Sequence, residues 1–337
     1  MVVVKEFTFC NLGLFTRGIT MKSTNKALLA VTVAASLSLG STTAYAGALA
    51  SSVFSISDFV LTDADTGLAL TLADFSDISA TNNATITADL NNGAVSDTAG
   101  FSEPFTSLNP TDLAHICVGN CSIIPAENNF DVLVPPPISG NYAYADQQLV
   151  GLIVDPDGPG PAMAGADADV RSDVSLTGNG IGSSNSETGV TADFTFTLMN
   201  DTTIGYSFFA DIAYAAFLEG GSGSASASSN LTFTISPTGG VQIPLLFVNP
   251  VSNPNPNLDP CFLNFGISIN SEGSSSFACS GTFTGQTTQA LLGGTSYTLT
   301  IRQTTDADAT FVPEPASLAL FGAGLFGLGM MRRRRRS

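Results

Sequence analysis

Hydrophobic and polar residues alternate with period two along much of the chain, as they do in strands that bury one face. The alternation is clearest over residues 190–199, where Ala, Phe and Leu share one face and Asp and Thr share the other. Further strands are predicted at residues 53–61, 68–72, 84–90, 204–214, 231–235 and 297–301. No run keeps a helical period, so the pattern predicts an all-β domain built as a β-sandwich or a jelly-roll-like fold.

Three stretches interrupt this pattern. Residues 135–137 are three consecutive prolines, and residues 244–260 carry five prolines in Asn-rich sequence, so both are predicted to be long loops. Residues 220–230 contain mainly Gly, Ser and Ala. Their composition is typical of a flexible tip, while the alternation of Ala with Ser also suits an edge strand of small residues.

The first 46 residues predict a leader rather than part of this domain. From Met21, Lys22 and Lys26 precede an uncharged apolar run at 27–39, and Ala44-Tyr-Ala46 then supplies small residues for a peptidase. This order is that of a secretory signal peptide over residues 21–46, cleaved before Gly47 by the export machinery. Residues 1–20 fit poorly in front of such a signal, and we interpret them as a misassigned start.

The last 25 residues have three parts. Pro313, Glu314 and Pro315 come first, followed by an apolar run at 316–331. Sixteen helical residues rise about 24 Å, enough for a slightly short transmembrane helix. The basic tail then consists of Arg332, Arg333, Arg334, Arg335 and Arg336. Such a tail stops translocation and stays cytoplasmic, so residues 47–312 are predicted to be an exported ectodomain.

This C-terminal arrangement resembles the PEP-CTERM sorting signal of Gram-negative bacteria. The resemblance rests on the Pro-Glu-Pro motif, the apolar segment and the basic tail of residues 313–337. It implies recognition and cleavage by exosortase, a membrane protease. It also implies an inner-membrane-anchored precursor whose ectodomain then reaches the cell surface or the extracellular space. The sorting family is often linked to exopolysaccharide and biofilm, which makes extracellular polysaccharide an expected partner.

Charge narrows the function classes further. Residues 47–312 carry 26 acids and two bases, Arg171 and Arg302, for a net charge of −24. Such a surface repels phosphate backbones, so a nucleic-acid partner is excluded.

The cysteines agree with export. Four lie in the ectodomain: Cys117, Cys121, Cys261 and Cys279. Four cysteines in an exported chain predict two disulfides, with three connectivities, of which the local pairs Cys117–Cys121 and Cys261–Cys279 are favoured. The alternative is a metal site that uses His115 with Cys117 and Cys121, although it needs a fourth ligand.

No catalytic site is predicted. His115 is the single histidine, and no nucleophile motif accompanies it. Carboxylates occur in i, i+2 pairs, among which Asp155 and Asp157, followed by glycine, form a weak candidate for calcium. No other cofactor is expected. The sequence therefore favours a non-enzymatic structural or adhesive protein, and the alternatives are a secreted polysaccharide hydrolase that uses two carboxylates or a calcium-dependent carbohydrate-binding module.

Overall fold

The alternating segments form antiparallel strands in a computed structural model, which describes residues 46–91, 93–104, 111–134, 140–152, 165–188, 194–248 and 263–314. The strands in these ranges are β1 (Gly47–Asp63), β2 (Phe75–Ser79), β3 (Thr81–Leu90), β4 (Val95–Pro104), β5 (Thr111–Gly119), β6 (Tyr142–Leu152), β7 (Gly165–Leu176), β8 (Gly180–Thr188), β9 (Phe194–Leu198), β10 (Ile204–Glu219), β11 (Gly221–Pro237), β12 (Leu245–Val248), β13 (Phe265–Ile269), β14 (Gly273–Thr287) and β15 (Ser296–Pro313). The helical segments of the same ranges are two 3-10 turns, Leu72–Asp74 and Cys121–Ile123.

The strands form two sheets that pack face to face. The seven-stranded sheet has the order β12-β14-β10-β1-β7-β6-β5. The eight-stranded sheet has the order β13-β11-β15-β8-β3-β4, and β9 joins it by pairing with the first part of β15 and with β2. The all-β sandwich predicted from the alternation is therefore confirmed, because every second residue of these strands faces the opposite sheet.

Aromatic rings fill one half of the space between the sheets. Phe233 of the eight-stranded sheet lies among Phe59, Tyr206 and Phe208 of the other sheet, with ring centroids 5.2–5.7 Å apart. Phe208 also stacks on Phe283 of β14 at 5.4 Å. Buried aromatic pairs of this kind add to the stability that burial itself supplies.

Alanine dominates the other half of the core. Ala48 and Ala50 of β1 contact a cluster that also contains Ala307 and Ala309 of β15, all of them buried. The short side chains let the sheets approach closely: a Cβ atom on Gly182 would lie 2.6 Å from Cγ1 of Val174. Small residues at these positions are therefore a packing requirement.

Hydrogen bonds across the sandwich set how the two sheets align. The Gln303 amide donates to the carbonyl of Phe54 at 2.7 Å. The Ser52 hydroxyl donates to the carbonyl of Ser228 at 2.8 Å. Because the Ser52 and Gln303 side chains are buried, sliding one sheet over the other would leave their polar groups without partners, at a cost of about 1–3 kcal/mol per group.

Three local predictions are wrong. Residues 245–248, inside the proline-rich stretch 244–260 that is predicted to be a loop, form β12, which pairs with β14 because Leu245 packs against the aromatic core. The remaining proline-rich residues, 249–260 and 135–137, lie outside the described residues. Residues 68–72 form no strand, since Leu68 is 69% exposed and Thr71 instead caps the 3-10 turn by donating its backbone N–H to the Asp74 carboxylate at 2.7 Å. Residues 220–230 are neither a flexible tip nor an edge strand. They open β11, which lies between β13 and β15, and the small side chains face the core: Ala225 is buried in its alanine-rich half and Ala227 in its aromatic half.

Candidate functional sites

The residues predicted to be processed at the two ends of the domain lie side by side. Gly47 begins β1 opposite Glu219, the last residue of β10. Pro313 ends β15 opposite Gly221, the first residue of β11. The start of β1 and the end of β15 therefore both lie next to the single residue that joins β10 to β11, Gly220.

Gly220 contacts both ends of the described domain directly. Its carbonyl accepts a hydrogen bond from the Glu314 backbone N–H at 3.4 Å. A Cβ atom at this position would lie 2.7 Å from Cβ of Ala46, and its φ of +73° is a conformation that favours glycine. We call Ala46, Gly47, Gly220, Pro313 and Glu314 the terminal junction. The other predicted processing residues, Ala44, Pro315 and Arg332 to Arg336, lie outside the described residues, as do the predicted signal peptide and transmembrane helix.

The opposite end of the sandwich is closed by four loops that we call the distal cap, residues 64–74, 199–203, 238–244 and 288–295. Backbone hydrogen bonds tie them together, for example from Ala64 to Thr203 at 2.8 Å and from Leu291 to Thr202 at 2.8 Å. The large apolar side chains that are exposed on the cap are Leu68, Leu72, Met199, Val241 and Leu292. The domain thus has one end where β1 begins and β15 ends and another that exposes apolar residues.

A third feature covers part of the outer face of the seven-stranded sheet, over β5, β6, β7 and β1. Residues 120–134, which we call the strap, cross the sheet from β5 towards β1. Asn128 donates from its side chain to Asp112 of β5 at 3.0 Å and from its backbone to Asp146 of β6 at 2.8 Å. Farther along, the Leu133 backbone N–H donates to the Ser51 hydroxyl of β1 at 3.1 Å.

Arg171 of β7 is the central contact beneath the strap. The side chain is 1% exposed, and its Nε atom donates to the Asp173 carboxylate at 2.5 Å. One terminal nitrogen, Nη1, donates to the backbone carbonyl of Asn129 at 2.6 Å. The guanidinium also lies 5.7 Å from the ring centre of Tyr144, a cation–π distance. One of the two bases of this acidic region is therefore used internally, to hold the strap.

Carboxylates around Arg171 are desolvated. Complete burial raises the pKa of Asp173 above its usual range, against the opposing effect of Arg171 and of the Ser51 hydroxyl that donates to it. Burial likewise raises the pKa of Asp146, although the Tyr144 hydroxyl donates to this carboxylate at 2.7 Å. Asp169, on the same outer face, has its pKa raised to about 6, first by burial and then by the neighbouring charge of Asp167. Groups of this kind are found both in active sites and in structural networks.

The predicted disulfide between Cys117 and Cys121 is present at the start of the strap. Both sulfurs are consumed by this bond, so they are not available as the metal ligands of the alternative interpretation. Cys279 is also disulfide-bonded. Its predicted partner, Cys261, lies outside the described residues. His115 packs against Tyr144, and its Nδ1 atom lies 3.8 Å from the Glu127 carboxylate.

In the described ranges no three His, Cys, Asp or Glu side chains are grouped so that they could hold a metal ion. The calcium candidate, Asp155 and Asp157, falls outside those ranges and stays a prediction. No helix among the described residues is long and apolar enough to cross a membrane.

Sequence reasoning missed the cluster under the strap. The sequence did contain an indication of this cluster, because Arg171 and Asp173 are neighbours on one face of an alternating run, and the acidic region around them has one other base. Tyr144 and Asp146 show the same spacing on the adjacent strand. Alternation indicates which residues share a face, but it does not indicate that a distant loop covers that face.

Comparison with known proteins finds a match for one segment of the chain. No curated protein and no solved structure matches it. Residues 311–336 match the family model of the PEP-CTERM protein-sorting motif. The motif begins within β15 and includes two members of the terminal junction, Pro313 and Glu314. The chain therefore carries a PEP-CTERM protein-sorting motif, the mark of an exported precursor that is anchored in the membrane and processed by exosortase.

Proposed function

We propose that this protein is a non-enzymatic component of the cell surface or extracellular matrix, with a structural or adhesive role in association with exopolysaccharide or biofilm. The observation that carries the proposal is the direct connection between the sandwich and the sorting motif. β15 ends at Pro313, the first residue of the Pro-Glu-Pro sequence. The exported domain is thus the cargo that the motif delivers.

The outer face of the eight-stranded sheet supports association with polysaccharide. Its central strands carry hydroxyl and carboxylate side chains at directly opposite positions, including Ser224 with Thr310, Ser226 with Asp308, and Asp308 with Ser183. Hydroxyl and carboxylate groups on a sheet can exchange hydrogen bonds with sugar hydroxyls along an extended chain. The sheet supplies the regular spacing that repeated weak contacts need.

The proposal is tested by co-sedimentation of the exported domain, residues 47–314, with polysaccharide isolated from the producing cells. We expect association with the wild-type domain and weaker association for the Ser226→Ala/Asp308→Ala variant. The matched control, Ser276→Ala/Ser280→Ala, removes exposed hydroxyls from the outer face of the seven-stranded sheet and should bind as the wild type does.

Two additional measurements separate the proposal from its alternatives. Release of reducing sugar ends during the incubation would indicate a hydrolase and would refute the non-enzymatic role. Association that appears only with added calcium would instead indicate a calcium-dependent carbohydrate-binding module. If the wild-type domain does not sediment with the polysaccharide in either condition, the matrix role is wrong.

A further inference from the structure

The residues that the sorting protease must reach are part of a closed strand ladder. Val312 and Pro313 of β15 lie opposite Ser222 and Gly221 of β11, and the Glu314 N–H continues the ladder by donating to Gly220. The first two residues of the Pro-Glu-Pro sequence are therefore held against a neighbouring strand. A protease cuts a chain that is locally open, so its substrate is the open form of this segment.

The ladder is weak beyond Phe311 and strong before it. Because the Glu314 N–H donates to Gly220 at 3.4 Å, Pro313 occupies a non-hydrogen-bonded position opposite Gly221, and the ladder beyond Val312 depends on this long hydrogen bond. The Val312 side chain is 52% exposed, so it contributes little packing. Phe311, by contrast, is fully buried in the alanine-rich half of the core. Opening can therefore proceed from Glu314 as far as Val312 at low free energy, whereas opening past Phe311 requires removal of a buried ring from the core.

From this arrangement we infer that the last pairs of the β11–β15 ladder gate sorting cleavage: the protease acts when residues 312–314 are off the sheet and not when they are paired with β11. The inference rests on the proposed sorting of this chain and goes beyond it. Residues 312–314 then either pair with β11, which completes the sandwich, or are cut by the protease, and the two events compete. Phe311 is the residue at which the opening of β15 stops.

Disulfide staples test the gate. In the Ser222→Cys/Val312→Cys variant, the two cysteines are opposite each other on the exposed side of the ladder. Opposite Cα atoms in antiparallel strands are about 4.5–5.5 Å apart, within the range that a disulfide spans. The matched control is Ser236→Cys/Thr298→Cys, which staples the same two strands near the distal cap. Its residues lie an even number of positions from the first pair, so they share its face and its hydrogen-bonding type.

Full-length precursors are isolated from a host that lacks the protease and oxidised, and the staples are verified by peptide mass mapping. Each precursor is then mixed with solubilised membranes from the producing cells, and loss of the Arg332–Arg336 tail is followed by intact mass. We expect the wild type and the distal-staple variant to be cut and the Ser222/Val312 staple to abolish cleavage until a reductant is added. Wild type with reductant controls for reduction of Cys117–Cys121.

A second variant tests whether weaker pairing speeds cleavage, and it leaves the Pro-Glu-Pro sequence unchanged. Ser222→Pro removes one ladder donor from β11 and should speed cleavage, because the sorting segment opens more often. The gate is refuted if the closed Ser222/Val312 staple is cut as fast as the distal staple, or if Ser222→Pro is cut no faster than the wild type. If the wild-type precursor itself keeps its arginine tail, the failure belongs to the proposed sorting, and the gate fails with it.

Discussion

Removal of the cation beneath the strap is the most informative perturbation of the fold. Arg171→Met replaces the apolar stem of the side chain but not its guanidinium, and it leaves the Asp173 carboxylate, which is 0% exposed, without its ion-pair partner. It also removes the hydrogen bond to Asn129 of the strap. Breaking a buried pair from one side typically costs about 3–5 kcal/mol, a large fraction of the about 5–15 kcal/mol that stabilises a domain.

Urea unfolding of the exported domain measures this cost. The matched control is Arg302→Met, which removes the other base of the domain from an exposed position and should cost below about 1 kcal/mol. Hydrogen exchange provides a second measurement, since amides of residues 120–134 should lose protection in Arg171→Met and keep it in Arg302→Met.

The double variant Arg171→Met/Asp173→Asn decides whether the pair explains the effect. In the double variant the side chain at position 173 is neutral, so no buried charge is left uncompensated. Its loss of unfolding free energy should therefore be about 1.5–3 kcal/mol smaller than the sum of the losses in the two single variants. In Arg171→Met alone the pKa of Asp173 should rise further. The folded state then holds that proton more tightly than the unfolded state, so the destabilisation should grow as pH rises above about 4. Additive effects, or an Arg171→Met cost below about 1 kcal/mol, would refute the reasoning.

Three further predictions concern single features of the sandwich. Burial raises the pKa of Asp169 from 3.8 to about 6. The free energy of unfolding should therefore fall as the pH rises from about 4 to about 6. Asp169→Asn should remove this pH dependence and raise the free energy of unfolding by about 1–2 kcal/mol at pH 8, measured by urea unfolding. Phe208→Ala, at a fully buried ring, should cost about 3–5 kcal/mol, whereas Phe209→Ala, on the exposed face of the same strand, should cost below about 1 kcal/mol; equal losses would contradict the assigned faces. Replacing Cys117 and Cys121 by Ser should cost about 2 kcal/mol, the loop-closure value for so short a loop, and an unchanged melting temperature would show that the disulfide leaves stability unaffected.

Period-two alternation was sufficient to predict the class of the fold. It placed strands correctly around Phe208 and Phe233 because a strand with one buried face must repeat every second residue. It failed at residues 68–72, where a short apolar run has no strand to pair with along its length and forms a capped turn instead. Such runs carry no information about their partners, and a single pattern cannot separate a strand from an exposed loop.

Local sequence by itself determined the sorting motif, the acidic charge and the alternation, because each of them is a property of neighbouring residues. Only the tertiary structure decided that Gly47 and Pro313 meet at Gly220, that Arg171 is buried under the strap, and that β11 is an interior strand. These facts depend on which strands pair and which loop crosses which face. Contacts between residues that are a hundred or more positions apart follow from the packing of the whole sandwich, and no local stretch of sequence encodes them.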